Sequence, residues 1–219
     1  MIAIIDYKAG NITSVRLAFE AIGAEAVVSD APEVIRRADR IVFPGVGAAG
    51  SAMKNLRAAG LDALVRERIA AGAPFLGICL GTQILFESSE EDGGVPALGV
   101  LRGSVKKFAR HESPAEAGGA GIAGAWEKIP HMGWNQAEAA RPHPLLEGVA
   151  DKSYFYFVHS YHPAPADEAD VICRTRYCGV DFASMVGRGN VAATQFHPEK
   201  SGEVGLRILE NFSRWEGAC

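Results

Sequence analysis

Short apolar runs alternate with amphipathic segments through the first half of the chain. The runs have the length of buried strands, and in the segments between them apolar residues recur at the spacing of one helix face. The predicted strands are MIAIID, EAVVS, RIVFP and PFLGIC. The predicted helices are NITSVRLAFEAIG, PEVIRRA, AGSAMKNLRAAG and LDALVRERIAAG. This order is typical of βα units, in which helices cover a parallel sheet.

The second half of the chain is rich in β-forming residues. The predicted strands there are KSYFYFVHSYH, ADVICRTRY, VDFASMVG and NVAATQF. GRGN, between the last two, has the composition of a hairpin turn, and hairpins join antiparallel strands. EVGLRILENFSRW closes the chain as an amphipathic helix. We therefore predict an α/β fold with a mixed, largely parallel central sheet flanked by helices and a β-rich second half.

The length of 219 residues suits one α/β domain, and no internal repeat divides it. We predict a single domain over residues 1–219. From Ala109 to Ala125 the chain is rich in glycine and alanine and contains a proline, which indicates a flexible surface loop.

Composition and charge exclude several classes of function. The formal charge is -4, from 22 basic and 26 acidic side chains without a long block of one sign, which argues against nucleic-acid binding. No signal peptide or membrane span is predicted, and the spacing of the four cysteines is neither that of a disulfide framework nor that of a zinc site. We expect a cytoplasmic protein without a cofactor or metal, in which Cys173 and Cys178 are small buried hydrophobes.

A candidate nucleophile lies in the sequence GICLG, residues 77–81. It joins the strand PFLGIC to the helical pattern TQILFE, which is the context of a nucleophile elbow. The turn would direct Cys79 outward, and a helix N-terminus favours the thiolate. A core cysteine in a glycine-flanked turn is the alternative that this short motif alone leaves open.

QFHPE, after the strand NVAATQF, supplies a candidate base. Pro198 disfavours helix at His197, so we expect an extended segment in which His197 and Glu199 project to the same side. Glu199 would then orient the imidazole, as the third member of a triad does. The alternative is a surface turn.

An acyl-transfer site also needs donors for the oxyanion. PGVG, residues 44–47, follows the strand RIVF, so the backbone N–H groups of Val46 and Gly47, with that of Leu80, are our candidates. An ordinary strand-to-helix turn would explain the same glycines. We expect His111, His143 and His162 at the surface and His159 as a hydrogen-bonded strand residue.

GICLGTQ and QFHPEKS, in this order and context, resemble class I glutamine amidotransferases over essentially the whole chain. DYKAGNI, PGVGAAGSAM, HMGWN and FYFVHSYH resemble, within that class, the glutaminase subunits of imidazole glycerol phosphate synthases. The resemblance implies the class I amidotransferase fold. It also implies glutamine hydrolysis by a Cys79, His197, Glu199 triad, and histidine synthesis through imidazole glycerol phosphate and an aminoimidazole carboxamide ribotide.

The same resemblance implies roles for further residues. Gly47, Gln83 and the backbone of Ser160 and Tyr161 would hold glutamine. A second set would face an (α/β)8-barrel cyclase subunit, in a heterodimer that receives the ammonia. That set consists of Asn11, Trp134, Tyr156 and Lys200.

Two departures from the family pattern affect this interface: Lys8 replaces the usual glycine, and the stretch before HMGWN is longer than expected. The alternatives are the glutaminase of a synthase for anthranilate, guanylate or pyridoxal phosphate, and a catalytically silent regulatory module. An intact Cys79, His197 and Glu199 argues against the silent module.

Overall fold

The computed structural model describes residues 1–8, 11–109 and 127–218. The predicted loop from Ala109 to Ala125 lies outside the described residues except for Ala109 itself, as do His111 and Cys219.

The first half of the chain contains βα units. Its long strands are β1 (Ile2–Ile5), β2 (Ala26–Ser29), β3 (Arg40–Gly45) and β4 (Phe75–Cys79). Its helices are α1 (Ile12–Ala21), α2 (Pro32–Arg37), α3 (Ala49–Ala58), α4 (Leu61–Ala70) and α5 (Leu80–Gln83). The predicted strands and the first four helices are confirmed.

The rest of the chain is mainly strand. The strands are β5 (Ser88–Ser89), β6 (Val95–Pro96), β7 (Gly103–Lys107), β8 (His131–Ala139), β9 (Ser153–His159), β10 (Tyr161–Pro165), β11 (Val171–Tyr177), β12 (Val180–Arg188) and β13 (Val191–Thr194). The closing helix is α6 (Gly202–Arg214).

The described strands form two sheets. The larger sheet has nine strands in the order β2, β1, β3, β4, β13, β12, β11, β8 and β9. The first five strands of this order run parallel and the other four are antiparallel to their neighbours. The smaller sheet has the order β10, β7, β5 and β6. The mixed α/β fold with a β-rich second half is therefore confirmed.

Apolar side chains alternate between the two faces of the large sheet. In β1, Ala3 and Ile5 join the core under α3 and α4, whereas Ile4 joins the core under α1 and α6. Period-two alternation in a strand buried on both faces produces this pattern. Gly77 and Cys79 of β4, at the centre of the sheet, are thereby held between two packed layers.

Three parts of the fold differ from the predictions. The pattern TQILFE predicts a helix, but α5 ends at Gln83 and the chain continues in turns that lead to β5. The predicted strand KSYFYFVHSYH is divided between β9 and β10, which lie in different sheets. Strands β5 to β8 were not predicted: β5 and β6 are two residues each, and HMGWN contains Gly133 with a φ of 131°. Propensity does not detect strands defined by such tertiary pairing.

Cys173 and Cys178 are buried free thiols, as predicted. Burial raises the pKa of Cys173 to about 12 and that of Cys178 to about 11. Within the described ranges, no helix combines the length and apolar character needed to cross a bilayer.

Histidines are unusually well buried in this fold. His131, His143, His159 and His162 each expose 7% or less of their surface, so the expectation that His143 and His162 lie at the surface is wrong. Burial lowers the pKa of His131 and of His143 to about 4, and it lowers the pKa of His159 and of His162. These rings are therefore neutral in the folded protein at neutral pH.

We predict that this burial makes the free energy of unfolding fall as the pH decreases from about 6.5 toward 4. In this pH window the histidines are protonated in the unfolded chain but neutral in the folded protein. Each histidine therefore adds up to about 1.4 kcal/mol per pH unit to the slope of the free energy of unfolding against pH. Denaturant titrations at several pH values measure the slope. His143→Phe should decrease the slope by the contribution of one histidine. An unchanged slope in that variant would contradict the lowered pKa of His143.

Candidate active site

Cys79 occupies a strained turn between β4 and α5. Its backbone has φ 55° and ψ -103°, and its side chain lies at the N-terminus of the helix. A non-glycine residue with positive φ is uncommon and persists only where the surrounding structure imposes it. The turn aims the thiol into a cavity while leaving Cys79 only 6% exposed.

The glycines on either side of Cys79 are required by contact distances. A Cβ on Gly81 would lie 2.0 Å from the carbonyl oxygen of Phe43, and one on Gly77 would lie 2.7 Å from the carbonyl oxygen of Gly81. Helix α5 can therefore pack against β3 and β4 only because both positions lack side chains. The strand, turn and helix geometry predicted for GICLG is present.

His197 and Glu199 meet beneath this turn. Nδ1 of His197 lies 2.7 Å from Oε1 of Glu199, and both side chains are fully buried. The backbone reaches this contact in a way that the sequence did not predict: His197 is extended, but Pro198–Lys200 form a 3-10 turn. The amide of Asn11 also donates to Oε1 of Glu199, at 2.5 Å.

The electrostatics of His197 differ from those of the other buried histidines. Burial lowers the pKa of His197, but the adjacent Cys79 sulfur and Glu199 carboxylate outweigh it and raise that pKa to about 10. Nε2 of His197 is buried without a hydrogen-bond partner of ordinary geometry in the part of the chain that the structure describes. An imidazole that is held at Nδ1, free at Nε2 and coupled to a thiol is able to transfer protons to and from that thiol.

A cavity of about 320 Å³ lies over the thiol. Every residue predicted for oxyanion stabilisation or substrate binding lines it, together with side chains that the sequence did not single out. The predicted ones are Val46, Gly47, Leu80, Gln83, Ser160 and Tyr161. The additional ones are Glu91, Pro130, Val158 and His159.

The proposed oxyanion donors are not all directed into this cavity. The backbone N–H of Val46 donates to the hydroxyl oxygen of Tyr7 at 3.2 Å. Burial raises the pKa of Tyr7 to about 12, so the hydroxyl stays protonated. Tyr7, whose ring stacks on Phe43 at 4.7 Å, therefore holds the Val46 N–H away from a ligand over Cys79.

Sequence reasoning missed Gln195, which contacts the candidate nucleophile. Its Nε2 lies 3.6 Å from the Cys79 sulfur, and its Oε1 accepts from Nε2 of Gln83 at 3.0 Å. The signal was present in the i, i+2 spacing of Gln195 and His197, because the extended segment predicted there would place both side chains on one side. Glu91 has no such signal, because a turn far from the motifs carries it to the cavity.

The four residues predicted for a partner interface do not line the cavity. They contact the His197 and Glu199 segment or one another. Asn11 holds Glu199, and the main-chain oxygen of Tyr156 accepts from the His197 N–H at 2.9 Å. The Lys200 ammonium lies 5.9 Å from the centre of the Tyr156 ring, and the Trp134 ring lies 6.1 Å from it, edge on. These residues form a small surface patch behind the catalytic histidine candidate, with Trp134 56% exposed.

The possible metal ligands among the described residues were compared by their grouping. Among residues 1–8, 11–109 and 127–218, no three histidine, cysteine, aspartate or glutamate side chains are grouped closely enough to hold an ion.

Comparison with known proteins gives consistent matches. A family model described as glutamine amidotransferase class-I matches residues 3–214. The chain is 50% identical over 218 residues to the imidazole glycerol phosphate synthase subunit HisH of Methylococcus capsulatus, covering 98% of this chain and 96% of that protein. It is 46% identical over 212 residues to the subunit of the same name from Methanocaldococcus jannaschii, covering 97% and 98%.

Solved structures agree in fold. One described as a glutamine amidotransferase superposes with a TM-score of 0.70 at 21% identity, covering 97% of this chain and 99% of the other. PurLQS from Thermotoga maritima gives a TM-score of 0.69 at 18% identity, covering 96% of each chain. The family model and the near full-length identity together show that this chain belongs to the class I glutamine amidotransferases, and within them to the HisH subunits of imidazole glycerol phosphate synthase.

Proposed function

We propose that this chain hydrolyses glutamine to glutamate and ammonia and passes the ammonia to a cyclase subunit of imidazole glycerol phosphate synthase. The observation that carries the proposal is the placement of Cys79 in a strained turn, facing a small cavity and coupled to the buried His197 and Glu199 pair. Two relatives that the chain matches over nearly their whole length are named as a subunit of that synthase.

The chemistry follows the roles of a thiol triad. Nε2 of His197 takes the thiol proton of Cys79, and the sulfur attacks the carboxamide carbon of glutamine. The π electrons of the C=O bond move onto the carbonyl oxygen, which backbone N–H groups stabilise. Nε2 of His197 gives its proton to the leaving nitrogen, so ammonia departs and a γ-glutamyl thioester remains. His197 then takes a proton from water, which attacks the thioester, and glutamate and free Cys79 result. Glu199 holds Nδ1 of the ring throughout.

The cavity suits an amino acid of this size and charge. Both N–H groups of the Gln83 amide are used, one on the Tyr161 carbonyl and one on Gln195, so its oxygen is left to accept from a substrate. Glu91 places a carboxylate in the same lining, and that charge would attract the α-ammonium of glutamine. These contacts support substrate roles for Gln83 and its neighbours.

The ammonia acceptor would be a separate (α/β)8-barrel subunit in a heterodimer. The residues that would contact it adjoin His197 and Glu199 or one another without lining the glutamine cavity, and they are Asn11, Trp134, Tyr156 and Lys200. An exposed tryptophan beside a lysine and a tyrosine has the composition of an interface anchor. An enclosed route also prevents protonation of ammonia to unreactive ammonium.

Two other functions fit the fold less well. A glutaminase of another synthase would share the triad, but the 46% and 50% identities are to HisH subunits. A silent regulatory module has no need of a buried, coupled His197 and Glu199 pair, whose desolvation is costly without a function.

Cys79→Ala should abolish glutamine-dependent synthesis of imidazole glycerol phosphate by the assembled enzyme, because no other group in the cavity replaces the thiol. Synthesis from added ammonium salt should continue at the wild-type rate. Product formation from each nitrogen source provides the measurement. Glutamine hydrolysis at a near wild-type rate by the variant would refute the nucleophile assignment.

Lys200→Ala should uncouple the two reactions. Loss of its ammonium would open the contact beside the triad, so glutamate formed should exceed cyclised product by about fivefold, the effect of roughly one interface interaction of 1 kcal/mol. The ratio of the two products measures coupling. Lys54→Ala, which removes an exposed lysine from α3, should keep the ratio at one. Equal stoichiometry in both variants would remove Lys200 from the interface.

The Tyr7 hydroxyl would keep the isolated subunit nearly idle. Withholding one oxyanion donor costs on the order of 10²–10³ in rate, and partner binding could restore it by turning the Val46 N–H toward the substrate. The glycines on both sides of Val46 allow such a rotation.

Tyr7→Phe should therefore raise glutamine hydrolysis by the isolated subunit about fivefold, since it removes the acceptor of the Val46 N–H, a hydrogen bond worth about 1 kcal/mol, while keeping the ring on Phe43. Stimulation by the ligand-bound cyclase should decrease by the same factor. Glutamate release with and without the partner gives both values. Tyr154→Phe, which removes a hydroxyl from an exposed tyrosine, serves as the control. Equal basal rates for the two variants would contradict the proposal that the Tyr7 hydroxyl restrains the Val46 N–H.

A further inference from the structure

A continuous chain of hydrogen bonds runs from β8 through the protein interior to the Cys79 sulfur. Its first half comprises Asn135 Nδ2 to His131 Nε2 at 3.3 Å, His131 Nδ1 to His159 Nε2 at 3.0 Å, and His159 Nδ1 to the Tyr161 carbonyl at 2.7 Å. Its second half comprises Gln83 Nε2 to the same carbonyl at 3.0 Å, Gln83 Nε2 to Gln195 Oε1 at 3.0 Å, and Gln195 Nε2 to the sulfur at 3.6 Å.

The Tyr161 carbonyl determines which atom donates and which accepts in each hydrogen bond of the first half. The Tyr161 carbonyl only accepts, so His159 carries its proton on Nδ1 and, when neutral, accepts at Nε2. His131 must then donate from Nδ1 and accept at Nε2 from the Asn135 amide. The second N–H of that amide is used on the Arg176 carbonyl at 3.0 Å. One arrangement of protons satisfies every bond.

Packing fixes the two imidazoles in place. The His131 ring lies between Phe157 and Tyr177, with centroid separations of 4.6 and 3.9 Å and nearly parallel planes. The His159 ring contacts Phe182 at 5.3 Å and Phe108 at 5.4 Å. Their lowered pKa values agree with the neutral state that the bonds require. Rings held this way have one rotamer and one tautomer available.

We propose that His131 and His159 are positioning residues for the glutaminase site, which set the Tyr161 carbonyl and through it the amides of Gln83 and Gln195. The proposal rests on the proposed function. Neither imidazole belongs to the triad, and His131 does not line the cavity. Their effect passes through the Tyr161 carbonyl, where the two halves of the chain meet.

Breaking the chain at His131 would leave Nε2 of His159 buried without its donor. Relief of that loss requires His159 to turn, and its Nδ1 then leaves the Tyr161 carbonyl. Gln83 shares that carbonyl, so its amide loses the fixed orientation that presents its oxygen to the cavity. The expected result is weaker glutamine binding, with the triad itself intact.

The test compares two variants of His131 in the complex with the cyclase. His131→Phe keeps an aromatic ring between Phe157 and Tyr177 but forms neither hydrogen bond. His131→Asn keeps a donor close to the position of Nδ1. His143→Phe is the matched control, since it removes a buried histidine that accepts from the Leu145 N–H far from the cavity.

We expect His131→Phe to raise the KM for glutamine about fivefold to tenfold, the effect of roughly one lost hydrogen bond. The kcat should change less than the KM, and His131→Asn should recover most of the loss. Ammonium-dependent synthesis should be unchanged in all variants. A KM equal to that of His143→Phe would overturn the proposal. Absence of glutamine hydrolysis in the wild-type complex would instead overturn the proposed function.

If His131→Phe does not fold, NMR of the imidazole nitrogens in the wild-type chain provides a second test, because it shows which ring nitrogen of His131 and His159 carries the proton. His131 and His159 should both carry the proton on Nδ1, and glutamine added to Cys79→Ala should shift their signals while leaving those of His143 in place. A proton on Nε2 of either ring, or signals indifferent to glutamine, would overturn the proposal.

Discussion

The carbonyl of Phe43 on β3 and the first turn of α5 approach each other so closely that a Cβ on Gly81 would lie 2.0 Å from its oxygen. This contact joins the two adjacent parallel strands that carry the site, β3 with Val46 after it and β4 with Cys79 at its end. Because the carboxyl ends of parallel strands share one edge of the sheet, packing α5 here places the thiol beside the backbone donors. The positive φ of Cys79 is maintained by the same packing.

The site is organised as two layers around that edge. Above the thiol, a cavity bounded by Gln83, Glu91 and the β9 to β10 connection is suited to a small zwitterion. Below it, His197 and Glu199 are shielded from water and joined to Asn11. Low dielectric strengthens the contact between Cys79 and His197, and this explains why the pKa of His197 rises to about 10 although burial lowers it.

Local patterns in the sequence predicted the parts of this architecture that depend on local physics. The βα alternation, the glycines around Cys79 and the pair His197 and Glu199 are readable because period, backbone freedom and short spacing determine them. The extended route to Glu199 was not correct, since a 3-10 turn makes the same contact. Glu91, Tyr7 and the hydrogen bonds of His131 arise from segments distant in sequence, and no local signal reports which strands meet. The roles of the triad and interface residues remain predictions that the experiments above address.

The two faces of strand β8 lie in different environments, one in the protein interior and one at the surface. His131 and Asn135 point inward to the hydrogen-bond chain, while Met132 and Trp134 are 63% and 56% exposed on the other side. A single inserted or deleted residue within the strand would exchange the faces, so that Met132 and Trp134 would lie on the side where His131 and Asn135 now lie. Length variation among homologues is therefore expected to stop at Pro130 and resume only after Gln136. The register of β8 thus determines which of its side chains reach the hydrogen bonds that lead to the Cys79 sulfur.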